Sequence, residues 1–275
     1  MQVLPKRKPW SHKYDFGHLL VVGGNWKYSG SPAFNALGAL RSGVDLVTIV
    51  SPERSANIVA KLCPDMITVP INGDYLSTKH VERIKCIAKN EKVTAIVIGG
   101  GIGRQPETFK AVKKIHCQLA IPFVFDADAI HAIVKEQIAL RSHDILTPHA
   151  GEFAVLFGKK PSEQLSVRIA QTKKLASRLG CVILLKGHID IISDGKRSIT
   201  IKKPKECVYM TKGGTGDILA GVVGSLVAQD FPPFKAAYLG TLVTGKAGAL
   251  VGKEKGAGLL ASDLLETIPQ VVKHL

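Results

Sequence analysis

Thr211-Lys212-Gly213-Gly214-Thr215-Gly216-Asp217 runs straight into Ile218-Leu219-Ala220-Gly221-Val222-Val223-Gly224-Ser225-Leu226-Val227. A glycine-rich turn thus feeds an apolar run with helical character. The first turn of such a helix has backbone N–H groups without intrahelical partners, and its dipole favours negative charge there. Glycines let the backbone approach an anion, because no Cβ stands in the way. Asp217 falls at that same positive end, a carboxylate beside whatever anion the loop cradles. A phosphate and a base in one place is the chemistry of a hydroxyl being phosphorylated. A plain helix start, with Asp as an ordinary first-turn residue, explains a lone G-x-G-D equally well. The rest of the chain decides between them.

Upstream, short apolar runs alternate with helical patterns. Residues 18–22, 45–50, 94–98, 122–125, 144–146 and 181–185 read as strands, and continuous apolar runs of this kind suit strands buried on both faces of a parallel sheet. Residues 33–42, 53–63, 77–88, 106–115 and 162–179 carry helical spacing. Residues 189–193 and 197–202 flank Asp194-Gly195, the signature of a hairpin. A second apolar helix is expected over 236–251, a mobile loop over 252–258, and a last helix capped by Ser262-Asp263. The alternation predicts an α/β fold with a doubly wound, mostly parallel sheet. In such sheets ligands bind outside the carboxyl ends of the strands. No repeat or linker divides the 275 residues, so a single domain is expected.

Composition narrows the class. Five widely scattered cysteines with no C-x-x-C argue against a disulfide framework or a zinc site and for a reducing, cytoplasmic compartment. No apolar run approaches the ~20 residues of a membrane span. Residues 1–17 form a basic arm expected to drape over the body, without the apolar core of a signal peptide. The formal charge of +15 would suit nucleic acid. The basic residues are dispersed, however, and aromatics make up only 6% of the chain with no stacking array. A small phosphate-rich substrate explains the charge as well, and no nucleic-acid partner is expected.

Polar clusters follow the strands. Gly99 to Gly103 is a weak match to a dinucleotide-binding fingerprint, and a Walker A motif is absent. Lys186-Gly187 offers a charge and bare backbone to a nucleotide phosphate; a solvated strand-end lysine is the plainer reading. In Thr147-Pro148-His149-Ala150-Gly151-Glu152, Glu152 could hold a hydrated Mg²⁺, which touches few carboxylates. His149 could contact substrate or serve only as a hydrogen-bonding group. Asp126 and Asp128 could cap the next helix or face the cleft, and capping is expected of at least one.

Taken together these motifs resemble the NAD(P)H-hydrate dehydratases, a branch of the ribokinase-like fold. The resemblance rests on Ser11-His12-Lys13 with Phe16-Gly17, on Gly23-Gly24 with Tyr28-Ser29-Gly30-Ser31-Pro32, and on Ala39-Leu40-Arg41-Ser42-Gly43. It continues through Gly99 to Gly103, Asp126-Ala127-Asp128-Ala129, Thr147 to Glu152, Lys186-Gly187 and Gly213 to Gly221. His149-x-x-Glu152 stands where the sugar and vitamin kinases of this fold tend to carry N-x-x-E. Ser31-Pro32 and Val44-Asp45 depart from the family pattern, and the epimerase domain often fused ahead of this one in microbial relatives is not expected.

The resemblance implies a ribokinase-like three-layer fold, its parallel sheet flanked by helices and edged by a C-terminal β-hairpin. It implies repair of hydrated NADH or NADPH: the hydroxyl at ring carbon 6 is phosphorylated from ADP or ATP, with ADP favoured, and phosphate is then eliminated. Asp217 would be the base, and Gly214, Thr215 and Gly216 the anion hole. Lys186, Gly187, His188, Ile189, Asp190 and Gly216 would bind the nucleotide, and Ser31, Gly101, His149 and Asp217 the hydrated dinucleotide. Glu152 would organise Mg²⁺ through water, and the family tends to form homotetramers. Two rivals stay open: a small-molecule kinase of the same fold, and a basic nucleotide- or nucleic-acid-binding regulator.

Overall fold

A computed structural model of the chain describes residue 5 and residues 7–275; residues 1–4 and 6 of the expected basic arm lie outside them. Strands β1 (His18–Val22), β2 (Leu46–Pro52), β3 (Ile67–Ile71), β4 (Ala95–Ile98), β5 (Phe123–Phe125), β6 (Ile145–Leu146), β7 (Val182–Leu185), β8 (Ile189–Ser193) and β9 (Ser198–Lys202) form one sheet. Its order is β3-β2-β1-β4-β5-β6-β7-β8-β9. β1 to β7 run parallel, whereas β8 and β9 add an antiparallel hairpin at the edge. The strand order reverses direction between β1 and β4, which opens a crevice at their carboxyl ends.

Ten α-helices among the described residues cover the sheet: α1 (Gly30–Leu40), α2 (Glu53–Ala60), α3 (Val81–Asn90), α4 (Pro106–Gln118), α5 (Asp128–Lys135), α6 (Ala150–Phe157), α7 (Leu165–Leu179), α8 (Thr215–Ala228), α9 (Pro233–Lys255) and α10 (Ala261–Lys273). Side chains alternate across a strand, so β1 feeds two cores. Leu19 and Val21 join the apolar residues of α1, α8, α9 and α10. Leu20 and Val22 join those of α3 to α7. This is the three-layer arrangement that the alternating pattern anticipates.

Several boundaries differ from expectation. α9 continues to Lys255 and is followed by a single 3-10 turn, so no loop spans 252–258. Gly252 is there for contact: a Cβ on it would lie 2.5 Å from the carbonyl oxygen of Glu206. In α10 the cap is Asp263 alone, whose Oδ2 accepts the Leu260 amide at 2.8 Å from inside the first turn. The described part of the arm does lie on the body. Arg7 donates to Asp45 at 2.8 Å and to the Gly43 carbonyl at 2.7 Å, and its guanidinium sits 4.2 Å from the Phe16 ring centroid. Asp45, one of the departures from the family pattern, is thus the anchor of the arm.

Candidate active site

The loop 211–217 ends on α8 as its glycines require. Gly214 stands at the helix N-cap with φ +97°, a left-handed conformation that costs glycine least. A Cβ there would also meet the Phe34 ring at 2.7 Å. The Thr215 hydroxyl donates to the carbonyls of Met210 and Lys212, at 2.9 and 3.0 Å, closing the turn. The N-terminus of α8 is pinned against α1: Asn35 Nδ2 donates to the Asp217 carbonyl at 2.7 Å. The orphan amides of the first turn are therefore fixed before any ligand arrives.

This helix end opens on a cavity of about 820 Å³. Ser31, Gly101, His149, Glu152, Lys186, Gly187, His188, Gly214, Thr215, Gly216 and Asp217 all line it. Residues from five segments far apart in sequence thus meet at the carboxyl ends of the strands. Asp217 reaches the crevice between β1 and β4, since a Cβ on Gly100 would lie 2.6 Å from its Oδ1.

Two expected nucleotide residues stand elsewhere. Ile189 and Asp190 do not line the cavity; they begin β8 and pair with Lys202 and Ile201 of β9. Asp190 is fully buried and works from beneath. Its Oδ1 accepts the Gly187 amide at 2.7 Å and the Lys203 ammonium at 3.0 Å, while Lys203 also donates to the Gly187 carbonyl at 3.1 Å. Burial raises the Asp190 carboxyl above its ordinary value, and Lys203 opposes that shift. Asp190 and Lys203 therefore fix the shape of the 186–188 turn.

Neither Asp126 nor Asp128 caps α5, whose N-cap position is Ala127 with no side-chain cap. Asp126 faces the cavity, where its Oδ1 accepts Lys186 Nζ and Thr147 Oγ1, both at 2.7 Å. Asp128 takes the Gly103 amide at 3.0 Å and Arg104 at 2.7 Å. His149 does cap: its Nδ1 accepts the amides of Gly151 and Glu152 at 2.9 and 3.2 Å, and Glu152 Oε2 returns the bond from the His149 amide at 2.8 Å. Nδ1 is thereby kept as an acceptor, so the neutral ring carries its proton on Nε2. His149 is at once a helix cap and an exposed lining residue.

The electrostatics converge on Asp217. Burial, reinforced by the Asp126 carboxylate, pushes its carboxyl up to about 7, against the pull of Lys186 and the Ser31 hydroxyl. Burial likewise raises Glu152, with Asp126 adding to it. Burial works against the charge of Lys186, but Asp126, Glu152 and Asp217 outweigh it and hold its pKa above the ordinary lysine value. A base poised near neutrality, a cation and a helix N-terminus face one another. That set can take a proton from a hydroxyl while holding a transferring phosphoryl group.

Sequence reasoning missed Lys203, Val208, Met210 and Thr244, which extend the cavity beyond Lys186. A lysine just after β9 was the only signal available. No group of three or more His, Cys, Asp or Glu side chains suited to a bare metal ion occurs among the described residues. No helix among them is long and apolar enough to cross a membrane.

Comparison with known proteins agrees with this geometry. Residues 19–270 match the family model described as NAD(P)H-hydrate dehydratase. The chain is 40% identical over 270 residues to the bifunctional NAD(P)H-hydrate repair enzyme Nnr of Pyrobaculum aerophilum, covering 98% of this chain and 53% of that one. It is 35% identical over 272 residues to the ADP-dependent (S)-NAD(P)H-hydrate dehydratase of Nitrosopumilus maritimus, covering 98% and 93%. The chain thus spans about half the length of the first of these relatives and nearly all of the second. Its fold superposes with a TM-score of 0.82, at 26% identity, on the ADP/ATP-dependent NAD(P)H-hydrate dehydratase of Bacillus subtilis co-crystallised with ATP and Mg²⁺. That match covers 98% of this chain and 94% of the Bacillus chain.

Proposed function

Because the chain belongs to the NAD(P)H-hydrate dehydratase family, we propose that it restores hydrated NADH and NADPH at the expense of a nucleoside phosphate. The single observation that carries the reading is Asp217 at the start of α8, half-buried beside Lys186 in the cavity that also holds Ser31, Gly101 and His149.

The ring hydroxyl lies against Asp217, which accepts its proton as the oxygen attacks the terminal phosphorus of ADP or ATP. The new O–P bond forms as the bond to the leaving nucleotide breaks. Amides of Gly214 to Asp217 and the Lys186 ammonium meet the charge that spreads over the transferring oxygens. Lys186, Gly187, His188 and Gly216 bind the donor, and Ser31, Gly101 and His149 hold the dinucleotide. In the second step the ring C–O bond breaks, inorganic phosphate departs, and a proton leaves the adjacent ring carbon as the double bond returns. ADP is the preferred donor.

Two buried carboxylates, Asp126 and Glu152, and the half-buried Asp217 face one ammonium here, and hard oxygen donors with excess negative charge suit a hydrated Mg²⁺. Glu152 and Asp126 would hold it through water, and the ion would supply charge neutralisation to the donor phosphates. The working form is a cytoplasmic homotetramer built on a single dehydratase domain over 1–275, and the +15 charge serves phosphate-rich small ligands rather than nucleic acid.

The test is to incubate the protein with hydrated NADH and ADP or ATP, following absorbance at 340 nm and free phosphate. A dehydratase gives equal rises in both. A phosphorylated product that persists, with neither rise, would instead make the protein a small-molecule kinase.

A further inference from the structure

Three exposed aromatic side chains gather on the turns after β1 and β3, outside the cavity. Trp26 is 54% exposed, Tyr28 50% and Tyr75 37%. Their backbone is firmly held. Asn25 Oδ1 accepts the amides of Lys27 and Tyr28 at 2.8 and 2.9 Å, and the Asn25 amide donates to the Tyr28 carbonyl at 3.0 Å. The Trp26 amide donates to the Asp74 carbonyl at 2.8 Å, which joins the two turns, and Arg54 donates to the Trp26 carbonyl at 2.6 Å. A fixed backbone presenting half-bare rings is what a recognition surface requires, because little order remains to be imposed on binding.

The patch is continuous with the substrate side of the site. A methyl on Gly101 would lie 2.8 Å from Tyr28 Cβ and 3.5 Å from Ser31 Oγ. Its charge is cationic: Arg54 is exposed beside Trp26, and Lys27 Nζ lies 5.4 Å from the Tyr28 ring centroid. The reacting ring must sit at Asp217, and the phosphoryl donor must approach along Gly216 and Lys186, whose far side runs on to Lys203, Met210 and Thr244. The other half of the dinucleotide must therefore leave on the opposite side, past Ser31 and Gly101. That path leads to Tyr28.

We propose that Trp26 and Tyr28 form a stacking platform for the adenine of the hydrated dinucleotide, with Lys27 and Arg54 placed to meet the phosphate of its adenosine ribose. The inference rests on the dehydratase reading and names where the non-reacting half of that substrate binds. Base-on-aromatic stacking is sequence-tolerant and strong enough to matter in each ring. A cation pair beside it distinguishes NADPH hydrate, with its extra phosphate, from NADH hydrate.

The experiment compares three substrates: hydrated NADH, hydrated NADPH, and the hydrated reduced nicotinamide mononucleotide, which lacks the adenosine half. For Trp26→Ala and Tyr28→Ala, kcat/KM on hydrated NADH relative to the mononucleotide should fall about tenfold, a ratio from which general damage to the fold cancels. For Arg54→Ala the ratio of hydrated NADPH to hydrated NADH should fall severalfold. Equal losses on the dinucleotide and the mononucleotide, or no loss on either, would overturn the platform. Unchanged ratios together with a changed oligomeric state would assign the patch to a second copy of this chain. A wild-type protein inactive on all three substrates would remove the dehydratase reading itself, a result that none of the variant ratios can mimic.

Discussion

The fold stabilises Asp217 as a neutral acid, whereas the role proposed for it as a base requires the anion. Its ordinary carboxyl value of 3.8 is raised to about 7 in the folded chain by burial and by Asp126. The folded state therefore holds a proton that the unfolded state has released, so stability falls as pH climbs from about 4 to about 7. The full effect is on the order of 4 kcal/mol above neutrality. Asp217→Asn should thus raise Tm by several degrees, more at pH 8 than at pH 5, while nucleotide binding persists and repair of hydrated NADH is lost. Thermal melts at the two pH values and a turnover assay check this pair. Activity has the opposite slope. In the free enzyme kcat/KM should rise with pH up to about 7 and then level off. Asp126→Asn removes the carboxylate that raises Asp217 and releases Lys186 from it, so the limb should move to lower pH; Lys186→Met should move it higher. A limb unmoved by both substitutions would show that another group titrates. The placement of Asp217 was legible because glycines followed by an acid mark a helix start that can face a ligand. Asp126 was not: an acid between a strand and a helix serves equally as cap or cleft residue, and only Lys186 Nζ at 2.7 Å decides it. Asp190 misled for a related reason, since a strand's first residues can face the ligand or support the turn that does.

α8 can present Asp217 to the cavity because it is a packing helix. Its glycines give up helix propensity so that α1 and the sheet can approach its middle closely. A Cβ on Gly221 would stand 2.1 Å from the Asn35 carbonyl oxygen, and one on Gly224 would stand 2.3 Å from Val97 Cγ2. Asn35 also holds the Asp217 carbonyl, so a helix pushed off α1 carries Asp217 with it. Gly221→Ala should cost about 1–3 kcal/mol of overpacking despite the helix-propensity gain of up to about 1 kcal/mol, and should lower kcat as well. Gly245→Ala on α9 is the control. Its Cβ would meet only Lys203 Cγ at 3.9 Å, so the propensity gain should appear undiminished as a higher urea midpoint. Element reading succeeded where apolar runs were clean, as in β1, β4 and β7. β3 escaped because it is a sheet edge, with Ile67 and Pro70 exposed and a proline within it. α6 escaped because Ala150–Phe157 is apolar nearly all round and shows no stripe. The apparent loop over 252–258 was misread because glycine marks close packing as readily as it marks a turn.

At the scale of the whole molecule, the charge of +15 has to be reconciled with a site whose own cations are largely spoken for. Lys186 is paired with Asp126, and Lys203 with Asp190. Lys212 lines the cavity and is exposed, with no ion pair among the described residues. Apart from Lys27 and Arg54 beside the aromatic patch, the remaining basic residues are spread over the surface, where each acts on a ligand through solvent rather than by contact. Such a field raises the encounter rate of polyanionic nucleotides but adds little to the bound complex. It also fades as the Debye length shrinks from about 20 to about 7 Å between about 20 and 200 mM salt. Raising salt over that range should therefore lower kcat/KM severalfold for both the nucleotide and the hydrated dinucleotide. The value of kcat should hold, because the interactions made at Asp217 and Lys186 are buried and poorly screened. Lys212→Gln should reduce the slope of that dependence more than loss of a lysine remote from the cavity, such as Lys89→Gln on α3. Stopped-flow association at a series of ionic strengths separates the alternatives. A kcat that falls in parallel would place the salt-sensitive contacts inside the site, and a flat kcat/KM would leave the charge without a part in capturing substrate.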